Sequence, residues 1–188
     1  FVPFIFFWIK GAFDARRVKL LWIAFLLGAA QGLLGWFMVQ SGLLDRPWVS
    51  PVRLTAHLLL ALFLLGFLTW NRVELEAGPG KKAGSLFSPL PGWVRWAVPL
   101  LLVGFVVQFS FGGIMAGLKA AMDYPSFPTM NGAWFPSGFW KPEMGWHNWF
   151  ENSAFVHVIH RFMGTLILIG ASVLSWLGWK HTAGSPLR

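Results

Sequence analysis

The sequence predicts an all-α integral membrane protein, a bundle of transmembrane helices. Composition, the length of the apolar runs and the placement of charge carry that prediction. Of 188 residues, 56% are hydrophobic and 12% charged, with a mean hydropathy of +0.59; an ordinary soluble domain carries roughly 25% charged residues. A soluble fold of this length needs more polar surface than 15 Lys and Arg with 7 Asp and Glu provide. The lipid bilayer is the expected solvent. A net charge of +8 would suit nucleic acid, but the bases fall in short clusters between apolar runs and form no continuous stripe, so no nucleic-acid partner is expected. The absence of cysteine excludes disulfides, zinc–thiolate sites, Cys-ligated iron–sulfur clusters and covalent c-type haem. Histidine is left as the expected metal ligand.

In chain order, Phe1–Ile9 is apolar but far shorter than the roughly 20 residues a bilayer requires. With neither an initiating Met nor a basic n-region, it reads as the end of a truncated helix in a longer protein. Four runs meet the length criterion, at about Leu20–Val39, Val52–Trp70, Val94–Leu118 and Asn152–Trp179. They lack the strict alternation of barrel strands, and lipid-exposed backbone must satisfy its own hydrogen bonds, so all four are expected to be helical. Pro99 sits early in the third run, where it can kink the helix without ending it. Loops 10–19 and 71–95 are rich in Lys and Arg and are assigned to the cytoplasm; loops 40–51 and 119–151 are assigned to the periplasm. The setting is then a bacterial inner (plasma) membrane crossed several times.

The stretch 78–92, GPGKKAGSLFSPLPG, reads as a cytoplasmic linker between residues 1–77, the remainder of one helical half, and 93–188, the start of another. The connection 119–151 carries Trp134, Trp140, Trp146 and Trp149, and reads as a headgroup-level segment able to act as a lid.

An internal repeat supports two halves. Shifting the chain by 77 aligns Gln31 with Gln108, Gly35 with Gly112 and Met38 with Met115, and each set precedes a connection and a helix carrying His57 or His160. Both units enter and leave on the same sides, so they would be parallel repeats about an axis along the membrane normal. Two similar sites are implied.

His57 lies six residues after Pro51, about 9 Å along its helix, where an ionisable residue is a functional candidate. The plainer alternative is a histidine hydrogen-bonded to a neighbouring helix. His157 and His160, three residues apart, share a helical face; the pair could hold a small metal, but no carboxylate accompanies them, and they cannot bind opposite faces of one haem. His160 is the favoured metal ligand, with His157 as a wall or supporting residue, because Arg161 can place a guanidinium where a haem propionate would lie. The alternative for Arg161 is a side chain reaching for the interface. His147 and His181 read as solvated, Gly28, Gly32, Gly35, Gly112 and Gly113 as helix-packing positions, and Glu151 as a charge favourable at the last helix's N-terminus.

With these residues in place, the chain resembles the haem A synthase family. The resemblance rests on Gln31-Gly32-Leu33-Leu34-Gly35-Trp36 with Met38, Val39 and Ser41-Gly42-Leu43; on Val49-Ser50-Pro51-Val52-Arg53-Leu54 with Ala56-His57-Leu58; on Phe111-Gly112-Gly113 with Ala116-Gly117; on Met130-Asn131-Gly132 with Trp134 and Pro136; and on Phe150-Glu151-Asn152 with Val156 and His160-Arg161. No single piece is specific, but the ordered set is. It implies two similar four-helix halves, here truncated at both ends, with His57 and His160 as metal ligands in separate halves and Arg53 and Arg161 as cofactor-binding residues. Each histidine's partner ligand would lie outside this stretch, which alone is expected to be inactive. The implied reaction oxidises a methyl group of haem O to the formyl group of haem A for cytochrome oxidase assembly, with haem O as substrate, haem A as product and haem b as resident cofactor. Haem O synthase, an electron donor and a homo-oligomer are the implied partners; no catalytic residue is identified. The rival reading is a non-enzymatic b-type cytochrome subunit carrying electrons through bis-His haems.

Overall fold

The computed structural model describes residues 2–44, 48–77 and 91–183, with side chains described except at 41–44, 77 and 181–183. Among the described residues seven α-helices follow in order, α1 (Val2–Ile9), α2 (Ala15–Leu44), α3 (Pro51–Ala77), α4 (Val94–Leu118), α5 (Ala120–Asp123), α6 (Asn148–Glu151) and α7 (Ser153–Ala183), with a 3₁₀ segment at Pro142–His147 before α6. Among the described residues there is no strand, only an isolated pairing of Met130 with Ala133. Four helices among the described residues are long and apolar enough to cross a membrane, Ala15–Gln40, Pro51–Glu76, Val94–Leu118 and Ser153–Lys180. These are the four runs expected, lengthened by a turn or more where polar residues continue the helix beyond the apolar stretch. The expected linker at 78–92 lies outside the described residues apart from Pro91 and Gly92.

The helix extensions are held by charge. The Asp14 carboxylate accepts the Arg17 backbone N–H at 2.7 Å, capping α2 well before the apolar run begins at Leu20. At the far end of α3, Arg72 donates to Glu76 at 2.8 Å one turn on, and Arg16 donates to Glu74 at 2.8 Å. Lys10 stands over the Phe6 ring at 4.6 Å and Lys180 over the Trp176 ring at 4.0 Å, the amphipathic anchoring that suits a bilayer interface.

The chain divides into two compact units, one drawn from Phe1–Val49 and Ala56–Pro89, the other from Ser50–Thr55 and Leu90–Arg188. In the first, α2 and α3 are joined through the Arg16–Glu74 pair and a contact of Gln31 with His57. In the second, α4 packs along α7 around Phe111, Ile114 and Val156, supported by Val107, Met115, Leu118 and Ile159. The opening turn of α3 belongs to this second unit and lies close to α4. A Cβ at Gly113 would stand 2.6 Å from Thr55 Oγ1, so only glycine permits that approach. Leu100 (74% exposed) and Leu168 (68%) face outward, where lipid imposes no penalty on apolar surface.

The connection from α4 to α7 is folded tertiary structure. Asn148 is fully buried; its side-chain amide donates to the Lys141 and Gly145 carbonyls at 2.8 Å each, and its oxygen accepts from the Lys141 N–H at 3.1 Å. Asn152 donates to the Gly138 and Phe139 carbonyls at 2.9 and 3.2 Å and to Asn148 Oδ1 at 2.8 Å. Its own oxygen accepts the Ala154 and Phe155 N–H groups at 3.0 and 3.3 Å, which caps α7. The last helix therefore begins after Asn152. Glu151, expected as its N-terminal charge, instead ends α6 and pairs with His147 at 3.3 Å on the surface. Phe155 closes the cluster against Phe139, Trp140 and Trp149.

Candidate functional site

The repeat is most specific at its histidines. In the first unit, Gln31 on α2 places its amide nitrogen 3.1 Å from His57 Nε2 and donates to the His57 carbonyl at 3.0 Å. In the second, Gln108 on α4 places its amide nitrogen 3.3 Å from His160 Nε2, while His160 Nδ1 lies 3.2 Å from the Gln108 carbonyl. The glycine one turn along from each glutamine lies against the same imidazole. A Cβ at Gly35 would meet His57 Cε1 at 3.2 Å, and one at Gly112 would meet His160 Cε1 at 3.0 Å. The Gln–Gly–His arrangement recurs in both units, with glutamine and glycine at the positions that the shift of 77 aligns.

These contacts define which ring nitrogen donates and which accepts. The Gln108 carbonyl can only accept, so His160 carries its proton on Nδ1 and presents Nε2 as a lone pair to the Gln108 amide. For His57 the logic runs from the other end: the Gln31 nitrogen donates to a carbonyl, so it is the amide N–H₂, and the ring nitrogen beside it must accept. Each histidine therefore offers Nε2 as a lone pair.

That is the donor a haem iron requires. The porphyrin supplies its own equatorial nitrogens, so a single imidazole suffices from each helix, and among the described residues no group of three His, Asp or Glu converges as a stand-alone metal site. His160 also has the supporting bond typical of ligating histidines, with its second nitrogen donating to a backbone carbonyl. The residues fit the group.

His157 is 4% exposed and not available as a second donor: its Nε2 accepts from Arg161 Nε at 2.9 Å, and Tyr124 packs edge-on against its ring. Arg161 reaches into the connection. It donates through Nη1 to the Pro128 and Thr129 carbonyls at 3.4 and 3.2 Å and through Nη2 to the Tyr124 carbonyl at 3.0 Å, and it stacks over Phe127. Four of its five N–H groups are thereby engaged among the described residues, and one on Nη2 is left for a further acceptor. Arg53 is exposed on the first turn of α3. His57 and His160 thus belong to separate units, each with its own glutamine, and Arg161 adjoins His160. Sequence reasoning found Gln31 and Gln108 as repeat markers without reading them as partners of the histidines, and it missed Asn148 and Asn152 altogether.

Comparison with known proteins shows the family. The family model for the cytochrome oxidase assembly protein, COX15-CtaA, matches residues 1–188. The chain belongs to that family. Curated members similar to it are the Heme A synthases of Maricaulis maris, 39% identical over 96% of this chain and 51% of the relative, and of Parvibaculum lavamentivorans, 37% identical over 99% and 52%. A third, from Nitrosospira multiformis, is 37% identical over 100% of this chain and 51% of its own length. The chain thus spans about half the length of the curated relatives it matches. No solved structure matches. Within the COX15-CtaA family frame, the chain is a multi-pass membrane protein whose two Gln–Gly–His sets lie in its spanning helices.

Proposed function

We propose that this chain forms the central part of a haem A synthase, a membrane oxidoreductase that converts a methyl group of haem O to the formyl group of haem A for cytochrome oxidase assembly. The observation that carries the reading is the repeated Gln–Gly–His set, which offers two separate Nε2 lone pairs inside spanning helices. His57 would hold one haem and His160 the other, one being the substrate and one a resident haem b. A bound haem supplies redox chemistry at iron; the residues of this chain hold and orient it. The glycines leave room for each imidazole, and the remaining N–H of Arg161, with Arg53, would take propionate oxygens. The asparagine-tied connection packs against α4 and α7 and would limit water there. On this reading residues 1–77 and 93–188 are parts of two similar halves joined through 78–92. Loops 10–19 and 71–95 face the cytoplasm and loops 40–51 and 119–151 the periplasm, in a bacterial inner membrane. An electron donor, haem O synthase and a second copy of the protein are the proposed partners.

The test uses the full-length protein in detergent, with pigments extracted after incubation with haem O. Haem A should form, and haem b alone would identify a plain b-type cytochrome. His57→Ala and His160→Ala should each deplete a different haem population, while His147→Ala and His181→Ala leave haem content intact; the His181 side chain lies outside the described residues. Equal loss in all four variants would refute the ligand assignment.

A further inference from the structure

The glutamine contacts raise a question that ligation alone does not answer. The ring nitrogen each glutamine touches is the one iron would take. In both units the amide nitrogen lies within hydrogen-bond range of Nε2, at 3.1 Å for Gln31 and 3.3 Å for Gln108. A histidine cannot give that lone pair to an amide and to iron at once. The amide is also poorly satisfied where it stands. Gln31 Oε1 and Gln108 Oε1 are both buried and lack a hydrogen-bond partner among the described residues, an arrangement that buried side chains ordinarily avoid. Space has been left for this group, because a Cβ at Gly164, one turn after His160, would stand 2.9 Å from Gln108 Nε2.

We propose that Gln31 and Gln108 are placeholders, positioning residues that occupy and orient the ligating nitrogen while haem is absent and yield it to iron when haem binds. The inference rests on the haem reading above. The exchange would be simple in its chemistry: the amide-to-Nε2 hydrogen bond would break, Nε2 would replace the chloride or solvent ligand that haemin brings, and no electron would move and no proton leave Nε2, which already lacks one. Gln31 need not leave its place, since one of its two N–H groups keeps the His57 carbonyl at 3.0 Å while the other is released. The contact also keeps a half-buried imidazole from lacking a partner before the cofactor arrives.

The experiment follows haem uptake. Full-length protein produced without haem is mixed with haemin in detergent, and the Soret band is followed by stopped flow for the parent and for Gln31→Leu, Gln108→Leu, the nearly isosteric Gln31→Met and Gln108→Met, and Gln31→Glu and Gln108→Glu. Removing a hydrogen bond of ordinary net strength should speed uptake at the altered site about five-fold in the Leu and Met variants. The Glu variants should be slower than the parent, because a carboxylate favours a proton on Nε2 that iron must then displace. Residues with a merely structural role would give slower uptake in every variant. Leu and Met variants that elute as the parent does and bind haemin at the parent rate or below would overturn the proposal; the Met pair decides if the Leu pair fails to fold. A parent protein that binds no haemin would overturn the haem reading itself.

Discussion

Replacing Gly112 with alanine sets two features of the site against each other, and the outcome can be worked from the distances. The new Cβ would lie 3.0 Å from His160 Cε1 and 3.5 Å from Nδ1, whereas carbon atoms rest at about 3.5–4.0 Å. The ring must retreat by roughly 0.5–1 Å. It is held at both nitrogens, by the Gln108 carbonyl at 3.2 Å and the Gln108 amide at 3.3 Å. Both bonds are already long, so a retreat of that size breaks at least one of them. Overpacking at about 1–3 kcal/mol and a lost hydrogen bond at about 1 kcal/mol together exceed the roughly 1 kcal/mol that alanine gains over glycine in a helix. The net cost should be about 1–3 kcal/mol. Gly35→Ala provides the internal control. There the Cβ meets His57 Cε1 at 3.2 Å, and His57 Nδ1 has no partner among the described residues to resist a small rotation. Strain and helix propensity should then nearly cancel. Thermal unfolding of the haem-free full-length protein in detergent measures both variants, and the midpoint should fall further for Gly112→Ala than for Gly35→Ala. Equal destabilisation by the two changes, or a neutral Gly112→Ala, would refute the claim that the second imidazole is the more firmly held.

Asn152→Ala removes the cap of α7 and the donor that ties the connection to it, and should cost about 2–4 kcal/mol from a lost cap of about 1 kcal/mol and a buried acceptor left unpaired at about 1–3 kcal/mol. Hydrogen exchange at the Ala154, Phe155 and Lys141 amides should accelerate at least about 30-fold, while Asn152→Asp, which keeps the cap, should restore protection at Ala154 and Phe155 only. Arg161→Lys should open the connection at Tyr124–Thr129 to protease, because an ammonium cannot reproduce the fork that spans the carbonyls of Tyr124, Pro128 and Thr129. Unchanged cleavage in that variant would show that the loop holds itself.

The spans were legible because a bilayer imposes one length and one polarity on any helix that crosses it, and Val94–Leu118 was read to the residue. Their ends were less so. Asp14, Glu74 and Glu76 carry helix into polar sequence through caps and ion pairs that hydropathy does not register. The site was legible as a list. Gln31, Gly35 and His57 recur as Gln108, Gly112 and His160, but the contact between glutamine and histidine joins different helices, and no periodicity along one helix encodes it. Arg161 was read by its adjacency to His160. Successive helical residues point about 100° apart, so its guanidinium bonds His157, one turn back, and the connection beyond. Asn148 and Asn152 left no signal, because asparagine is ordinary in any loop and only burial distinguishes these two.

Asn152 has a further consequence, for biogenesis. Its oxygen closes the first turn of α7 while its nitrogen closes the connection on Gly138 and Phe139, so the two structures are completed by one residue. On the proposed topology the connection must cross the bilayer as unfolded chain. Once it is across, the first turn of α7 and the fold of the connection draw on the same side chain, so one amide is shared between a span and the segment outside it.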